Sequence, residues 1–434
     1  MSELAETALS SLVFASRPIT YGIVQPGPDI SPDGVPLIRG KDYSSGKVST
    51  SSLYHVLPEI DRPYARSKVQ AGDLLLSIVG YVGQVARVPA ELTGANITQT
   101  TARISVDPAK ADSKFLLHYL SSPYFRSEIT RYEKGSAQPG LNLSDVARLR
   151  VKRPSLQQQR RIAEILSTAD EAIEQTEALI AKYQQIKAGL MQDLFTRGIT
   201  PDGHLRPTRI QAPHLYKDSP LGWIPKEWTV VPLSSVTQLI TSGSRGWAEY
   251  YSEIGPLFIR IGNLTREHIN FRWDSVTRVS LPKFTEGQRT AVLPNDILIS
   301  ITADLGIVAV AGNALGEAYV NQHIALVRPK VEPEVSRFLG HFLSTVRVQK
   351  QFLRLNDSGA KAGLNLPAVG KILVMKPLDD LEPKRVAARL DEVGLTIECH
   401  KQEVAKLRLQ KQGLMQDLLT GRVRVKVGEA EGKR

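Results

Sequence analysis

The side chains with the readiest chemistry are few. His118 and His341 recur, each closing a Phe-Leu-x-His pattern, and Cys399 is the single cysteine. Each histidine lies inside an apolar helical pattern, and no histidine pair has metal-ligand spacing, so both read as structural. One cysteine excludes an intramolecular disulfide and a Cys-rich metal site. No GxxxxGK phosphate loop occurs, and no GxGxxG follows a strand. An Asn- or Asp-Pro-Pro-aromatic tetrapeptide, the grip of amino-methyltransferases on an exocyclic amine, is also missing. Pro201-Asp202 and Pro294-Asn295-Asp296 lack the acid-x-Lys element that completes a nuclease centre. Catalysis by this chain alone is therefore not expected, and activity of the purified chain without partners is the observation that would reverse this.

What remains is hydrogen bonding and charge. The net charge is +11 and the pI about 9.5, which favours a polyanionic partner, nucleic acid first. The excess sits in loop-rich stretches and the linker, including Lys41, Arg87, Arg103, Arg245, Arg266 and Arg272, because the two long helical segments are nearly balanced. No apolar run approaches the roughly 20 residues of a membrane span, and no signal-peptide pattern opens the chain. A reducing cytoplasm is the default expectation.

The elements that would position these groups come in duplicate. Gly140-Leu141-Asn142-Leu143 returns as Gly363-Leu364-Asn365-Leu366, 223 residues on. Gly72-Asp73-Leu74-Leu75 returns at the same offset as Asn295-Asp296-Ile297-Leu298, and Ile38-Arg39 is matched by Ile259-Arg260. In each copy short apolar runs read as strands: 35–39, 72–79, 83–88 and 97–105, then 256–261, 295–302, 306–311 and 320–328. Residues 114–133 and 334–353 read as amphipathic helices, each followed by a Gly-rich turn at 135–142 or 359–365. The fold class is α+β, with two similar modules related by an internal pseudo-two-fold. Residues 17–34 and 44–68 share little with 241–254 and 265–291, as expected for one frame used for two recognition tasks.

A long helix follows each module. Ile162, Leu166, Ile173, Ile180, Tyr183 and Leu190 recur at spacings of three, four and their sum, seven. Val386, Leu390, Val393, Ile397, Val404, Leu407 and Leu414 do so in the second copy, which is a coiled-coil seam. Ile165, Leu179, Ile186 and Leu409 widen the stripe. A narrow apolar stripe needs a partner in water, and the simplest is the other copy, antiparallel. Thr176 and His400 hold matched seam positions, with His400 setting register. A Pro-rich connection at 198–228 links the copies, and Trp223 and Trp228 read as its packing anchors.

These residues resemble the specificity subunit of a type I restriction-modification enzyme. The stretch Asp218-Ser219-Pro220-Leu221-Gly222-Trp223-Ile224-Pro225-Lys226-Glu227-Trp228 looks like that family's way into a target recognition domain. The Ile-Arg and Gly/Asn-Asp motifs fit its strands. Pro154-Ser155-Leu156-Gln157-Gln158-Gln159-Arg160-Arg161-Ile162-Ala163 and Gly413-Leu414-Met415-Gln416-Asp417-Leu418-Leu419 fit the two ends of its conserved helix. There are two departures. No Gly-x-Ile-Pro-x-x-Trp precedes Leu12, and the second helix opens with Glu382-Pro383-Lys384 where the first has Gln158-Gln159-Arg160.

The resemblance implies target recognition domains at 1–153 and 229–380, conserved helices at 154–197 and 381–422, the connection at 198–228 and a basic tail at 423–434. It implies one domain per half of a bipartite duplex-DNA site, separated by two long antiparallel coiled-coil helices that act as a ruler. Two methyltransferase subunits would dock on the helices, with restriction or translocase subunits as optional further members. S-adenosylmethionine, and ATP with Mg²⁺ where a restriction subunit is present, would be held by those partners and not by this chain; no metal site is expected. Base edges would be read by Tyr21, Gln25, Lys41, Tyr81, Gln84, Gln99, Thr100 and Gln138 in the first module. In the second the candidates are Ser244, Arg245, Trp247, Asn263, Arg266, Asp304, Asn321, Gln322 and Lys361. The alternative is a duplicated coiled-coil adaptor that binds proteins and no DNA; it accounts for the helices equally well and for the basic charge less well.

Overall fold

The computed structural model describes residues 4–133, 140–243, 245–280, 289–356 and 363–426. It divides into two compact units, residues 1–177 with 402–434 and residues 178–401. Gln138, Ser244 and Lys361 lie outside the described residues, as does most of each Gly-rich turn.

In the first unit a six-stranded sheet runs in the order Thr20–Tyr21, Thr101–Ile104, Leu74–Ser77, Val85–Arg87, Gly46–Val48, Tyr43–Ser44. Leu74 and Leu76 face the cluster that holds Phe115, Leu116 and Phe125, while Leu75 faces the other, with Ile38 and Ile97. Burial on both faces is why this segment reads as a continuous apolar run without alternation. The second unit repeats the plan in a four-stranded sheet, Thr237–Ser242, Ile324–Pro329, Ile297–Ser300, Val308–Val310. Ile297 and Ile299 face Phe338 and Phe342; Leu298 faces Ile259 and Val320.

The repeated motifs have local physical reasons. Gly72 and Asn295 take φ of +87° and +72°, the left-handed region that glycine and asparagine tolerate best. The buried carboxylates of Asp73 and Asp296 then accept the backbone N–H three residues earlier, from Gln70 and Leu293, each at 2.8 Å. Each acid also holds an arginine, drawn from different parts of the two modules: Arg17 at 2.8 Å and Arg328 at 2.7 Å. In Gly-Leu-Asn-Leu the glycine bridges to Val79 or Thr302 and the leucine is buried. Asn142 and Asn365 cap short helices, Leu143–Arg148 and Leu366–Lys371, by accepting from the N–H of Asp145 and Ala368 at 2.8 Å.

Several expected elements are redrawn. Residues 114–133 form two helices, Ser113–Leu120 and Pro123–Thr130, because Pro123 starts a new helix behind its Ser122 cap. Residues 334–353 likewise split into Pro333–Leu343 and Val346–Arg354. There Thr345 turns its hydroxyl back to the Phe342 carbonyl. The strands expected at 97–105 and 320–328 are each interrupted, by the turns at 98–100 and 321–323. The first module has an opening strand despite lacking the tryptophan motif: Glu6–Ala8 pairs antiparallel with Arg150–Lys152. Trp228–Pro232 pairs with Leu373–Pro377 in the same way. Of the two tryptophans in the connection, Trp228 is fully buried, whereas Trp223 is half-exposed under the Arg209 guanidinium.

The long helices are Leu156–Arg197 and Leu381–Thr420, and each unit contains part of both. Within the first unit Asp170 pairs with Lys411 and Glu177 with Arg408, so residue numbers rise on one helix as they fall on the other. Within the second, Tyr183 stacks on His400 and Ile199 N–H reaches Glu382. Both units therefore contain an antiparallel pair. Ile162, Leu166, Ile173, Val386, Leu390, Ile397 and Val404 are buried; Ile180, Tyr183, Leu190, Val393, Leu407 and Leu414 are half-buried. Met415, Leu418 and Leu419 carry the buried seam where Leu414 alone was expected.

The two repeated histidines pack their modules against these helices. His118 Nε2 lies 3.2 Å from Ser167 Oγ, and His341 Nε2 lies 2.8 Å from Asp391 Oδ1. Burial pushes both pKa values down, His118 to about 4 although Asp170 opposes the shift. A buried neutral imidazole leaves the unfolded chain to take up the proton first, from about pH 6.5 downward. Stability is therefore full above that value and is lost as pH falls towards 4. At pH 5 the His118 contribution lost is about 2 kcal/mol. Urea unfolding at pH 7 and pH 5 should show this loss, and His118→Gln should reduce it; an unchanged pH dependence in that variant would refute the assignment.

Candidate nucleic-acid interface

In both modules one parallel pairing delivers the polar loops. Ile38 pairs with Ile97 and Ile259 with Val320, so Arg39 and Arg260 leave their strands beside the turns at 98–100 and 321–323. The hairpin turn after Leu74–Ser77 joins the first cluster. A Cβ on Gly40 would lie 3.3 Å from Ser77 Oγ, 3.7 Å from Thr100 Oγ1 and 3.7 Å from Tyr81 Cδ2. Lys41, Tyr81 and Gln99 are exposed around that contact, Tyr81 to 56%, with Gln84 and Thr100 half-buried. Gln25 is exposed on the neighbouring loop, where Gln99 N–H donates to the Ile23 carbonyl. Tyr21 is set apart: it is half-buried and lines a cleft with Arg17 and Arg103.

The second module builds the same loops from different chemistry. His323 occupies the position of Thr100, with Nδ1 2.9 Å from Thr302 Oγ1 and Nε2 3.0 Å from Gln322 Nε2. Gln322 is half-buried beside it and Arg245 is exposed.

Five second-module expectations change. Trp247 is buried and stacked on Phe258 at 4.9 Å, so it is core. Asn263 is buried, donating to the carbonyls of Arg272 and Ser275. Asn321 is buried and accepts from His323 N–H at 3.2 Å. Arg266 and Asp304 hold each other at 2.5 Å, and Arg266 also donates to Gln349 and the Leu305 carbonyl. Both side chains stay about half-exposed, so the pairing competes with a DNA contact without removing it. Among the basic residues, Arg103 is unavailable: it is buried, with its guanidinium on the carbonyls of Pro18, Arg66 and Lys68.

Sequence reasoning passed over the arginines of the Ile-Arg motif as framework. Their backbone N–H groups are held alike, Arg39 by Asp42 at 2.9 Å and Arg260 by Asn263 at 3.0 Å. Their side chains differ. Asp42 also takes the Arg39 guanidinium through Nε at 2.8 Å and Nη2 at 3.0 Å, which raises its pKa further. Asn263 has no charge to offer, and Arg260 has no ion-pair partner among the described residues. The signal was present in the sequence as Asp42 against Asn263, three residues after each arginine.

Two modules thus present one loop frame with different polar side chains. The profile described as type I restriction modification DNA specificity domain matches residues 36–185 and 225–409. The chain belongs to this family. It is 34% identical over 200 residues to the type I restriction enzyme EcoBI specificity subunit of Escherichia coli, 45% of this chain. That match spans 42% of the EcoBI subunit, less than half of its length. It is 25% identical over 411 residues to the "Putative type I restriction enzyme MjaX specificity subunit" of Methanocaldococcus jannaschii, 91% of this chain and 88% of that protein. The fold is shared with the crystal structure of the type I restriction-modification S subunit from M. genitalium. There the TM-score is 0.59 at 16% identity, with 96% of each chain covered. A chain from a structure of a type I restriction-modification system gives 0.54 at 18% identity, covering 98% of this chain and 99% of that one. This type I specificity chain carries two copies of that domain plan. No helix among its described residues is long and apolar enough to cross a membrane.

Proposed function

We propose that this chain is the DNA-reading, non-catalytic subunit of a type I restriction-modification complex. Each module reads one half of a bipartite duplex site. The long helices dock two methyltransferase subunits, and restriction or translocase subunits can join. S-adenosylmethionine, and ATP with Mg²⁺ where a restriction subunit is present, belong to those partners. The observation that carries this reading is the duplicated loop frame: the same strand ends present Lys41, Tyr81, Gln99 and Thr100 in one module and Arg260, Gln322 and His323 in the other. Conserved geometry with changed hydrogen-bonding groups suits two different base sequences, because bases are told apart by donor and acceptor patterns. The net charge of +11 supplies phosphate attraction that carries no sequence information.

The test is to co-express the chain with a methyltransferase subunit of its own system and map adenine methylation across the host genome. The expected result is a two-part motif with a fixed gap, lost on deleting residues 219–375 and altered in one half when they are exchanged for those of a relative. A stable complex that methylates no two-part motif would overturn the reading in favour of a protein-binding scaffold.

A further inference from the structure

The two helix–module junctions, each within its own unit, are built from matched positions that hold different charges. In the first unit Asp170 pairs with Lys411 and lies 3.7 Å from His118 Nδ1, while Glu177 pairs with Arg408. The matching positions, 224 residues away along the repeat, are Gly394 for Asp170, Lys187 for Lys411, Lys401 for Glu177 and Gln184 for Arg408. Two acids and two bases in the first unit thus become two lysines with no acid in the second.

Lys401 recovers a partner in Glu267 from the module. Lys187 does not. Its ammonium donates to the Glu267 main-chain carbonyl at 3.1 Å, and it has no carboxylate within ion-pair distance among the described residues. An ammonium has three protons to give, so two remain unspent. Burial pushes its pKa down, which is the mark of a cation short of compensation.

The missing carboxylate leaves space. A Cβ on Gly394 would meet nothing within 4 Å, and a cavity of about 280 Å³ opens there. Lys187 and Gly394 line it together with Met191, Ile269, Val308 and Ile397. Two acids line it, Glu398 and Glu267, the latter held by Lys401, and Asp391 nearby is held by Arg337 and His341. His341 spends Nε2 on Asp391, and Gln349 spends its amide on the carbonyls of Gly306 and Leu343. Lys187 therefore has donor capacity left, on a pocket whose walls combine aliphatic side chains with polar ones that include Arg266, His268 and Lys401.

We propose that this cavity binds a small carboxylate with a short aliphatic tail. Its carboxylate would take the place that Asp170 fills in the other unit, against Lys187, and its tail would lie on Met191 and Ile397. The site is independent of DNA reading, and its test contains no DNA.

The experiment uses the full chain, with butyrate as probe and chloride at equal ionic strength as control. Calorimetry and thermal melting should show saturable butyrate binding and a rise in Tm that chloride does not give. Gly394→Asp tethers a carboxylate where the twin has one; it should raise Tm without ligand and weaken butyrate at least tenfold. Gly394→Ala should keep binding, because it adds no charge. Lys187→Met should abolish it. Equal responses to butyrate and chloride, or unchanged binding in both Gly394→Asp and Lys187→Met, would overturn the proposal.

Discussion

Glu382→Ala should destabilise the second unit by about 3–5 kcal/mol, the usual cost of stripping one partner from a buried ion pair. The carboxylate is buried and accepts four hydrogen bonds. Its Oε1 takes Ile199 N–H at 2.6 Å and Arg206 Nη1 at 2.5 Å. Its Oε2 takes Trp228 Nε1 at 2.9 Å and Arg206 Nη2 at 3.1 Å. Truncation would leave a guanidinium, an indole N–H and a backbone N–H without this acceptor in a site that excludes water. Arg206 would keep only Glu227, which is half-exposed, and the Arg197 carbonyl. Gly198 shows how tightly the carboxylate is enclosed: it has φ +68°, and a Cβ there would lie 2.2 Å from Glu382 Oε1. Chemical denaturation followed by tryptophan fluorescence measures the loss, since Trp228 reports from inside the network. Glu382→Leu combined with Arg206→Met should cost less than Glu382→Ala alone, because it removes the stranded charge with its partner. A loss below about 1 kcal/mol in the single variant would show that the network relaxes or admits water.

That network accounts for a departure the sequence displayed without explaining. Glu382-Pro383-Lys384 stands where the first helix has Gln158-Gln159-Arg160. In the first unit Gln158 caps its own helix through Ser155, and Gln159 ties Asp112 N–H to the Pro154 carbonyl. The second copy receives the connection at 198–228, and Glu382 ties that connection down at Ile199, Arg206 and Trp228.

The same distinction separates what was legible from what was not. Period and repeat placed the helices, the central strands and the seam, because those depend on spacing and burial alone. Motif meaning came from backbone constraints: a left-handed residue before Asp73 and Asp296, a helix cap at Asn142 and Asn365. The interface was harder to read because a polar loop residue has two competing uses. Trp247, Asn263 and Asn321 carry side-chain types that suit base recognition, yet their modules use them as packing or as loop staples. Arg266 and Asp304 pair with each other across 38 residues of sequence, a distance no local pattern reveals. Arg260 was hidden for the opposite reason. It looked like framework because Arg39 matches it, and the difference lies in the charge of a third residue.

Arg260→Glu should weaken binding to the half-site read by the second module by about 2–3 kcal/mol, and leave the other half-site unaffected. The magnitude combines loss of one good contact, worth about 1–3 kcal/mol, with repulsion from the phosphates. The first module provides the complementary experiment. Arg39 holds the same position, but Asp42 claims its guanidinium through two bonds. Asp42→Asn keeps an oxygen to accept the Arg39 N–H, as Asn263 does for Arg260, and releases the cation. It should tighten binding at the first half-site severalfold. Both effects rest on the proposed reading of DNA, and methyltransferase-complex binding to duplexes altered in one half at a time measures them. The dependence on salt then assigns the contact. A phosphate contact by Arg260 would lower the slope of log K against log salt by about one in Arg260→Gln, equally for all sequences. A base contact would instead relax preference at one position while leaving non-specific DNA affinity nearly intact. If neither Arg260→Glu nor Asp42→Asn moves affinity, the strand ends that carry these arginines do not face DNA, and the reading surface lies elsewhere on the modules.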